Sequence, residues 1–294
     1  MEASGWAVLG APWDCSGTGR GEADAPAALR RAGLGDLAGL DAGDAPIAIT
    51  TTARDPATGV RALAETRRAA DALTAALTSL LARAPDRRPL VVGGDCSLLL
   101  GVVPAVRALG PVGLWFVDGH PDYQAPADSA TGETADLELG LVTGDGPDAL
   151  TGLAGPPPMV PPAAAVLIGH RAAGLDAAAA AEVARVPEAV RRIDAATLVA
   201  DPAAAGERAR GWLDGSGRSV WLHLDLDVLD PSALPAVTYP QPGGPDWDAL
   251  AAALRPLATS PHLSGVSVAD FRPDLDPGGG YAARVVALLD AVLP

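Results

Sequence analysis

Short apolar runs and longer stretches of helical periodicity alternate along almost the whole chain. The apolar runs fall at Trp6–Gly10, Ile47–Thr51, Pro89–Val92, Gly113–Val117, Ala165–Ile168, Ser219–Leu226 and Leu263–Ala269. Several are apolar at every position rather than every second one, as in strands of a parallel sheet covered on both faces. Helical patterns occupy the intervals. Val60–Ala84 is the longest, and Ser97–Leu109, Asp176–Arg185, Pro202–Leu213 and Gly280–Leu293 are others. This alternation predicts an α/β fold with a three-layer, mostly parallel, doubly wound sheet. Ligands of such folds bind beyond the carboxyl ends of the strands. No internal repeat or linker breaks the rhythm. The Gly/Pro-rich Gly144–Pro162 reads as a surface excursion, because the βα alternation resumes directly after it. Residues 1–294 are expected to form a single domain.

Composition narrows the partners more than the fold. Apolar residues make up 49% of the chain, dominated by alanine, and aromatics only 4%, which suits small-residue helices packed closely on a sheet. The 36 acidic against 21 basic residues leave a formal charge of -15. That excess disfavours nucleic acid and anionic membrane, favours a cationic or neutral small molecule, and serves solubility as well. Two cysteines, Cys15 and Cys96, imply no disulfide framework and fit a reducing cytoplasm. The start, Met1-Glu2-Ala3-Ser4-Gly5, lacks the basic region and apolar core of a signal peptide. No stretch approaches the roughly 18 apolar residues that span a bilayer.

Candidate chemistry gathers at three strand ends. Val91-Val92-Gly93-Gly94-Asp95-Cys96-Ser97 ends a strand and opens a helix; the glycines permit a tight turn, and Ser97 is placed to cap the helix. Cys96 would then lie beside a helix N-terminus, where the field favours a thiolate. The second end, Asp118-Gly119-His120-Pro121-Asp122, sets two carboxylates and an imidazole at alternate positions, so that an extended segment would converge them on one face. The third, Leu222-His223-Leu224-Asp225-Leu226-Asp227, adds two more carboxylates. Acid clusters that repel one another make sense chiefly with a multiply charged cation between them. Four carboxylates, an imidazole and a thiol are enough donors for two divalent ions. Carboxylates suit Mn²⁺, while a thiolate draws toward Zn²⁺ or another softer ion.

These segments resemble the ureohydrolases, the arginase and agmatinase family. Gly93-Gly94-Asp95-Cys96-Ser97, Asp118-Gly119-His120-Pro121-Asp122 and Asp225-Leu226-Asp227-Val228-Leu229-Asp230-Pro231 look like its three signatures, in the same order. Gly10-Ala11-Pro12-Trp13, Gly21–Arg30, Ile168-Gly169-His170-Arg171 and Ser264–Pro273 extend the likeness over nearly the whole chain. The resemblance implies an arginase-like catalytic domain. In it Asp118 and Asp225 bridge two Mn²⁺ ions, Asp122 completes one shell, and His120 and Asp227 complete the other. It further implies that a Mn-bridging hydroxide attacks a guanidinium carbon, that urea and an amine leave, and that Asp122 relays the nucleophile's proton. Trimers or hexamers are the assemblies it implies.

Three positions depart from the family pattern. Cys96 stands where the family places a ligating His, so either the thiolate ligates or a small apolar side chain leaves one ion weakly held. In Ser129-Ala130-Thr131-Gly132-Glu133-Thr134-Ala135-Asp136, Ala135 stands where the family has a proton-shuttling His, with Asp136 and Glu133 as substitutes. Asp270 stands where the family has a Glu that binds the guanidinium, which implies a different substrate depth or headgroup. An N-hydroxyguanidine, more electrophilic and less basic, would depend less on both missing groups. Hydrolysis of an arginine- or N-hydroxyarginine-type compound to urea or hydroxyurea and an amine such as ornithine is therefore expected.

Agmatine or guanidinobutyrate hydrolysis is an alternative, and a non-catalytic binding or regulatory subunit is one of a different class. A zinc-dependent deacetylase fits less well, because the paired motifs supply two metals. Thr131, Ser129 and Gln124 are candidate contacts for the substrate tail. His223 reads as a packed strand-end histidine or a residue of the same mouth. His170 and Arg171 either reach the substrate or bond neighbouring loops, and His262 is expected at the surface. A Cys15–Cys96 redox pair is a further reading.

Overall fold

Side chains that are apolar at every position need cover on two faces, and the runs of that kind form the middle of one sheet. The computed structural model describes residues 5–294; Met1–Ser4, and with them the start read for a signal peptide, lie outside the described residues. The strands are β1 (Trp6–Gly10), β2 (Leu40–Asp44), β3 (Arg88–Val92), β4 (Val112–Val117), β5 (Ala165–Ile168), β6 (Arg191–Ile193), β7 (Ser219–Asp225) and β8 (Leu263–Ala269). All pairings are parallel, in the order β2-β1-β3-β8-β7-β4-β5-β6.

Alternate side chains feed two cores. Trp115 and Val117 of β4 pack with Leu222 and Leu224 of β7 on one face. Leu114 and Phe116 pack with Trp221 on the other. Helices Ala25–Arg31, Pro202–Leu213, Trp247–Ala258 and Gly280–Val292 cover the first face, and Leu63–Arg83, Leu99–Arg107 and Glu138–Thr143 cover the second. This is the expected three-layer α/β architecture. Each aliphatic side chain buried in those layers stabilises the fold by about 1.5–3 kcal/mol. That surplus offsets the acids gathered at the strand ends. Among the described residues, no helix is long and apolar enough to cross a membrane.

The edges differ from the sequence pattern. The expected strand Ile47–Thr51 is irregular, and the sheet takes Leu40–Asp44 instead. The amides of Thr50 and Thr51 donate to the Glu65 carboxylate at 2.7 and 2.8 Å, so they are not available to a ladder. Edge strand β2 is largely exposed and β6 reads Arg-Arg-Ile. Backbone pairing, not apolar content, holds both. Helix Trp247–Ala258 contains Pro256 and was not expected; Asp246 caps it by accepting from the Ala249 amide at 2.9 Å.

Candidate active site

Strands β3, β8, β7 and β4 are consecutive neighbours at the centre of the sheet, and every singled-out acid leaves one of their carboxyl ends. The register pairs Val117 with Leu224 and Asp225 with Ala269. It therefore sets Asp118 beside Asp225, and Asp225 beside the start of the Asp270 turn. The convergence is achieved by turns, not by the extended alternation expected from the sequence. The His120 amide donates to Asp118 Oδ1 at 2.6 Å, and the Asp227 amide to Asp225 Oδ1 at 2.6 Å in a tight turn over Leu226–Val228. Asp122 (φ 45°) and Asp270 (φ 66°) lie in the left-handed region, which Asp tolerates better than most residues.

At the β3 end, Gly93 (φ 99°) and Gly94 (φ 74°) are required: a Cβ on Gly94 would lie 2.4 Å from Trp13 Cβ. The cap that follows is Asp95 rather than Ser97. Asp95 accepts the Ser97 amide at 3.0 Å and the Cys15 amide at 2.6 Å, while Ser97 Oγ bonds Asp95 and receives Trp13 Nε1–H at 2.6 Å.

Three donor groups gather, each with ligand atoms within 4.8 Å of one another. The outermost is Asp118, His120 and Asp227, with His120 Nδ1 2.7 Å from Asp227 Oδ2. Asp227 Oδ1 takes the Gly119 amide at 2.9 Å. Asp225, Asp227 and Asp270 form another group. The deepest is Cys96, Asp118, Glu138 and His223, all buried, with the Cys96 thiol bonded to Asp225 Oδ2. Asp122 is buried at the cavity wall beside these groups.

The electrostatics are those of an unneutralised ring. Burial, then repulsion from Asp122, holds the Asp118 carboxyl well above the usual range. Burial and Asp227 do the same for Asp225, and burial with Glu138 and Glu182 for Asp122. The Cys96 thiol is also pushed up, by burial and then by Asp225, so these effects outweigh the thiolate-favouring helix field. His120 is raised to about 9: burial pulls it down, and Asp227 more than compensates. Asp118 Oδ2 and both Glu138 oxygens are buried without a hydrogen-bond partner. Orphaned acceptors of this kind cost about 1–3 kcal/mol each. Convergent oxygen, nitrogen and sulfur donors with unspent lone pairs fit a divalent-metal centre.

The ring opens on a cavity of about 290 Å³. Gln124, Thr131, Ala135 and Asp136 line its other side, with Arg20 and Tyr239 at one flank. Ser129 lies behind this wall, buried, holding the Gly132 amide at 2.7 Å and Asp136 at 2.8 Å. Thr131 bonds the same Asp136 carboxylate. Glu133, the other expected substitute for the absent His, is taken by Arg20 at 2.9 Å. Asp270 accepts the Thr238 amide at 3.0 Å. Gln124 Nε2 lies 3.3 Å from Glu182 Oε2.

Arg171 lines the cavity but spends its guanidinium on backbone carbonyls, at 2.9 Å from Val228 and 2.5 Å from Gln241. His170 is buried, and desolvation lowers it to about 4. His262 is half-buried before β8. Cys15 and Cys96 are both free thiols.

Glu138, Glu182 and Arg20 escaped the sequence reading. The signal for the first two was a lone acid inside an apolar or Ala-rich helical run, which is costly unless it has a partner.

The chain matches the sequence profile described as Arginase family over residues 4–292. It is 30% identical to the arginase of Bacillus caldovelox over 304 residues, covering 97% of this chain and 96% of that protein. The native structure of that arginase superposes with a TM-score of 0.87 at 28% identity, covering 99% of this chain and 98% of the other. The proclavaminate amidino hydrolase of Streptomyces clavuligerus superposes with a TM-score of 0.69 at 25% identity, covering 99% of this chain and 90% of that one. A donor ring at the centre of an eight-stranded parallel sheet, on a chain matched from end to end, has one family reading: the protein belongs to the arginase family, whose members are hydrolases of amidine C–N bonds.

Proposed function

We propose that the protein hydrolyses a linear guanidino compound of the arginine or N-hydroxyarginine type, releasing urea or hydroxyurea and an amine such as ornithine. The observation that carries this reading is the gathering of Asp118, His120, Asp225 and Asp227 in shared donor groups, with His120, Asp122, Asp225 and Asp227 lining the cavity. With Cys96, these residues would hold two Mn²⁺ ions, or Mn²⁺ with a softer ion at the thiol end. When bound, the ions supply a water acidic enough to attack at neutral pH and positive charge to neutralise the ring.

The chain's own groups do the rest. Asp122, buried at the cavity wall, would take the proton that the nucleophile releases. Asp270, whose carboxylate accepts Thr238 N–H and lines the cavity, would bind the headgroup. Gln124 and Thr131, which line the cavity, would meet the substrate tail, and Ser129 would support this wall through Asp136.

The N-hydroxyguanidine branch is favoured by what stands opposite the ring. Ala135 offers no proton to a leaving amine, and Glu133 and Asp136 are already engaged by Arg20, Ser129 and Thr131. A more electrophilic, less basic headgroup needs that help least. The chain is proposed to act as a single domain, as a cytoplasmic homo-oligomer of three or six copies.

The deciding experiment is a product assay with Mn²⁺ on arginine, N-hydroxyarginine, agmatine and guanidinobutyrate. Hydroxyurea from N-hydroxyarginine at the highest kcat/KM is expected. Urea from arginine with no hydroxyurea from N-hydroxyarginine would reject the favoured branch, and turnover of agmatine or guanidinobutyrate alone would move the substrate class.

A further inference from the structure

His223 and Glu138 are too far apart for a hydrogen bond and too deeply buried to be solvated. His223 Nε2 lies 3.6 Å from Glu138 Oε1, both side chains are fully buried, and neither atom has a hydrogen-bond partner. Four donors of three chemistries meet at this point: the Cys96 thiol, the Asp118 and Glu138 carboxylates and the His223 imidazole. Bonds of about 2.0–2.1 Å from Zn²⁺ to nitrogen and about 2.0–2.2 Å to oxygen place such a pair about 3.3–3.5 Å apart on a tetrahedral ion. The 3.6 Å separation is close to that of two ligands on one ion.

The imidazole is aimed as a ligand would be. Its Nδ1 is 2.8 Å from Ser267 Oγ, on the paired position of β8, and Phe116 stacks on the ring at 5.2 Å. Ser267 Oγ already receives Trp221 Nε1–H at 2.9 Å. Accepting Nδ1–H as its second bond leaves the Nε2 lone pair directed at Glu138, the usual arrangement behind a metal-bound histidine.

We propose that the deeper metal position is a mixed site, ligated by Cys96 Sγ, His223 Nε2, Glu138 and Asp118, that takes a softer ion of the Zn²⁺ or Co²⁺ class while the outer position takes Mn²⁺. This rests on the two-metal hydrolase reading and adds to it two ligands and a division of labour between unlike ions. Binding requires Cys96 to lose its proton to solvent, so affinity rises with pH. The division follows from donor softness: the outer set is carboxylate and imidazole, and the inner set alone has sulfur.

The test uses the full-length protein, stripped with chelator and titrated with Co²⁺ and then Mn²⁺, following metal content and absorption. One equivalent of Co²⁺ is expected with a thiolate-to-cobalt charge-transfer band that survives Mn²⁺ addition. Cys96→Ser should abolish the band. Glu138→Gln and His223→Gln should lose this equivalent and keep the other, and Ser267→Ala should weaken it about 10–100-fold.

Unchanged Co²⁺ binding in Glu138→Gln and Ser267→Ala would overturn the proposal. Should the buried variants not fold, X-ray absorption on the wild-type Co²⁺ protein decides: a sulfur in the shell supports the site, and none overturns it. Guanidine hydrolysis with Mn²⁺ but no sulfur-bound ion would sink this site alone. A wild-type protein that binds no metal would sink the hydrolase reading with it.

Discussion

The outer and inner halves of the acid ring use similar donors in opposite ways. The outer donors come from two short motifs and are bonded to one another before any cation arrives: His120 to Asp227 at 2.7 Å, Gly119 N–H to Asp227 at 2.9 Å and His120 N–H to Asp118 at 2.6 Å. Inner donors come from four separate segments, and Asp118 Oδ2, both Glu138 oxygens and His223 Nε2 stand unpaired. Hydrogen bonds within and between the two motifs therefore preform the outer half, whereas the inner half is held by the surrounding core against its own repulsion. A cation adds little order to the first and much stability to the second.

The strongest blow to that contrast is Asp118→Asn, because Asp118 serves both halves. Removing a residue that only hydrogen-bonds a metal ligand costs about 10–100-fold, so loss of a shared ligand should lower guanidine turnover at least about 100-fold and weaken both metal equivalents. Steady-state kinetics and elemental analysis on the same preparation would show it.

Metal loading should raise folding stability by about 2.7 kcal/mol at a hundredfold excess over Kd. The gain should be smaller in Glu138→Gln, which removes an inner donor, than in His120→Gln, as read by Tm with and without metal. Without a cation the carboxyls of Asp118, Asp225 and Glu138 and the Cys96 thiol are all raised, so lowering the pH keeps them protonated. The metal-induced gain should therefore shrink as pH falls.

Asp270→Ala tests the substrate side of the ring. Losing a charge-assisted hydrogen bond worth about 1.5–3 kcal/mol should lower kcat/KM roughly 10–100-fold while both metal equivalents remain. Loss of a metal equivalent instead would reassign Asp270 to the metal shell. The smallest effect is expected from Trp13→Phe, which removes the bond to Ser97 behind Cys96. In denaturant unfolding it should cost about 0.5–1.5 kcal/mol for the bond, plus the packing lost where the smaller ring underfills the buried Trp13 site, and it should leave metal content unchanged.

How much was legible follows the same division between local and distant. The central strands β3, β4, β7 and β8 announce themselves because both faces are buried, so their sequences are mostly apolar rather than alternating. Edge strands β2 and β6 carry no such mark: one is mostly exposed and the other has two arginines. Ile47–Thr51 had the composition of a strand, but Glu65 took its amides. The outer donors were legible because each pair lies within a few residues on one turn. Glu138 and His223 gave only the weak signal of a polar residue in an apolar run. Their meeting depends on a helix from the β4–β5 connection crossing the end of β7.

From the sequence alone came the three-layer α/β class, the strand ends that carry chemistry, the departures at Cys96, Ala135 and Asp270, and the excess of acid that calls for a cation. The departures are read from the resemblance to the family; the rest are properties of neighbouring residues, or of apolar periodicity set by local backbone geometry. The tertiary structure alone decided that Asp95 rather than Ser97 caps the β3 turn, that Ser129 sits behind the cavity wall, and that Glu133 and Asp136 are already engaged. It also decided that Glu138 and His223 face Cys96 across the floor of the site. The Asp95 cap and the bonds to Asp136 are local choices among competing side chains, whereas Arg20 with Glu133, and Glu138 and His223 with Cys96, join segments tens to more than a hundred residues apart that only the sheet order brings together.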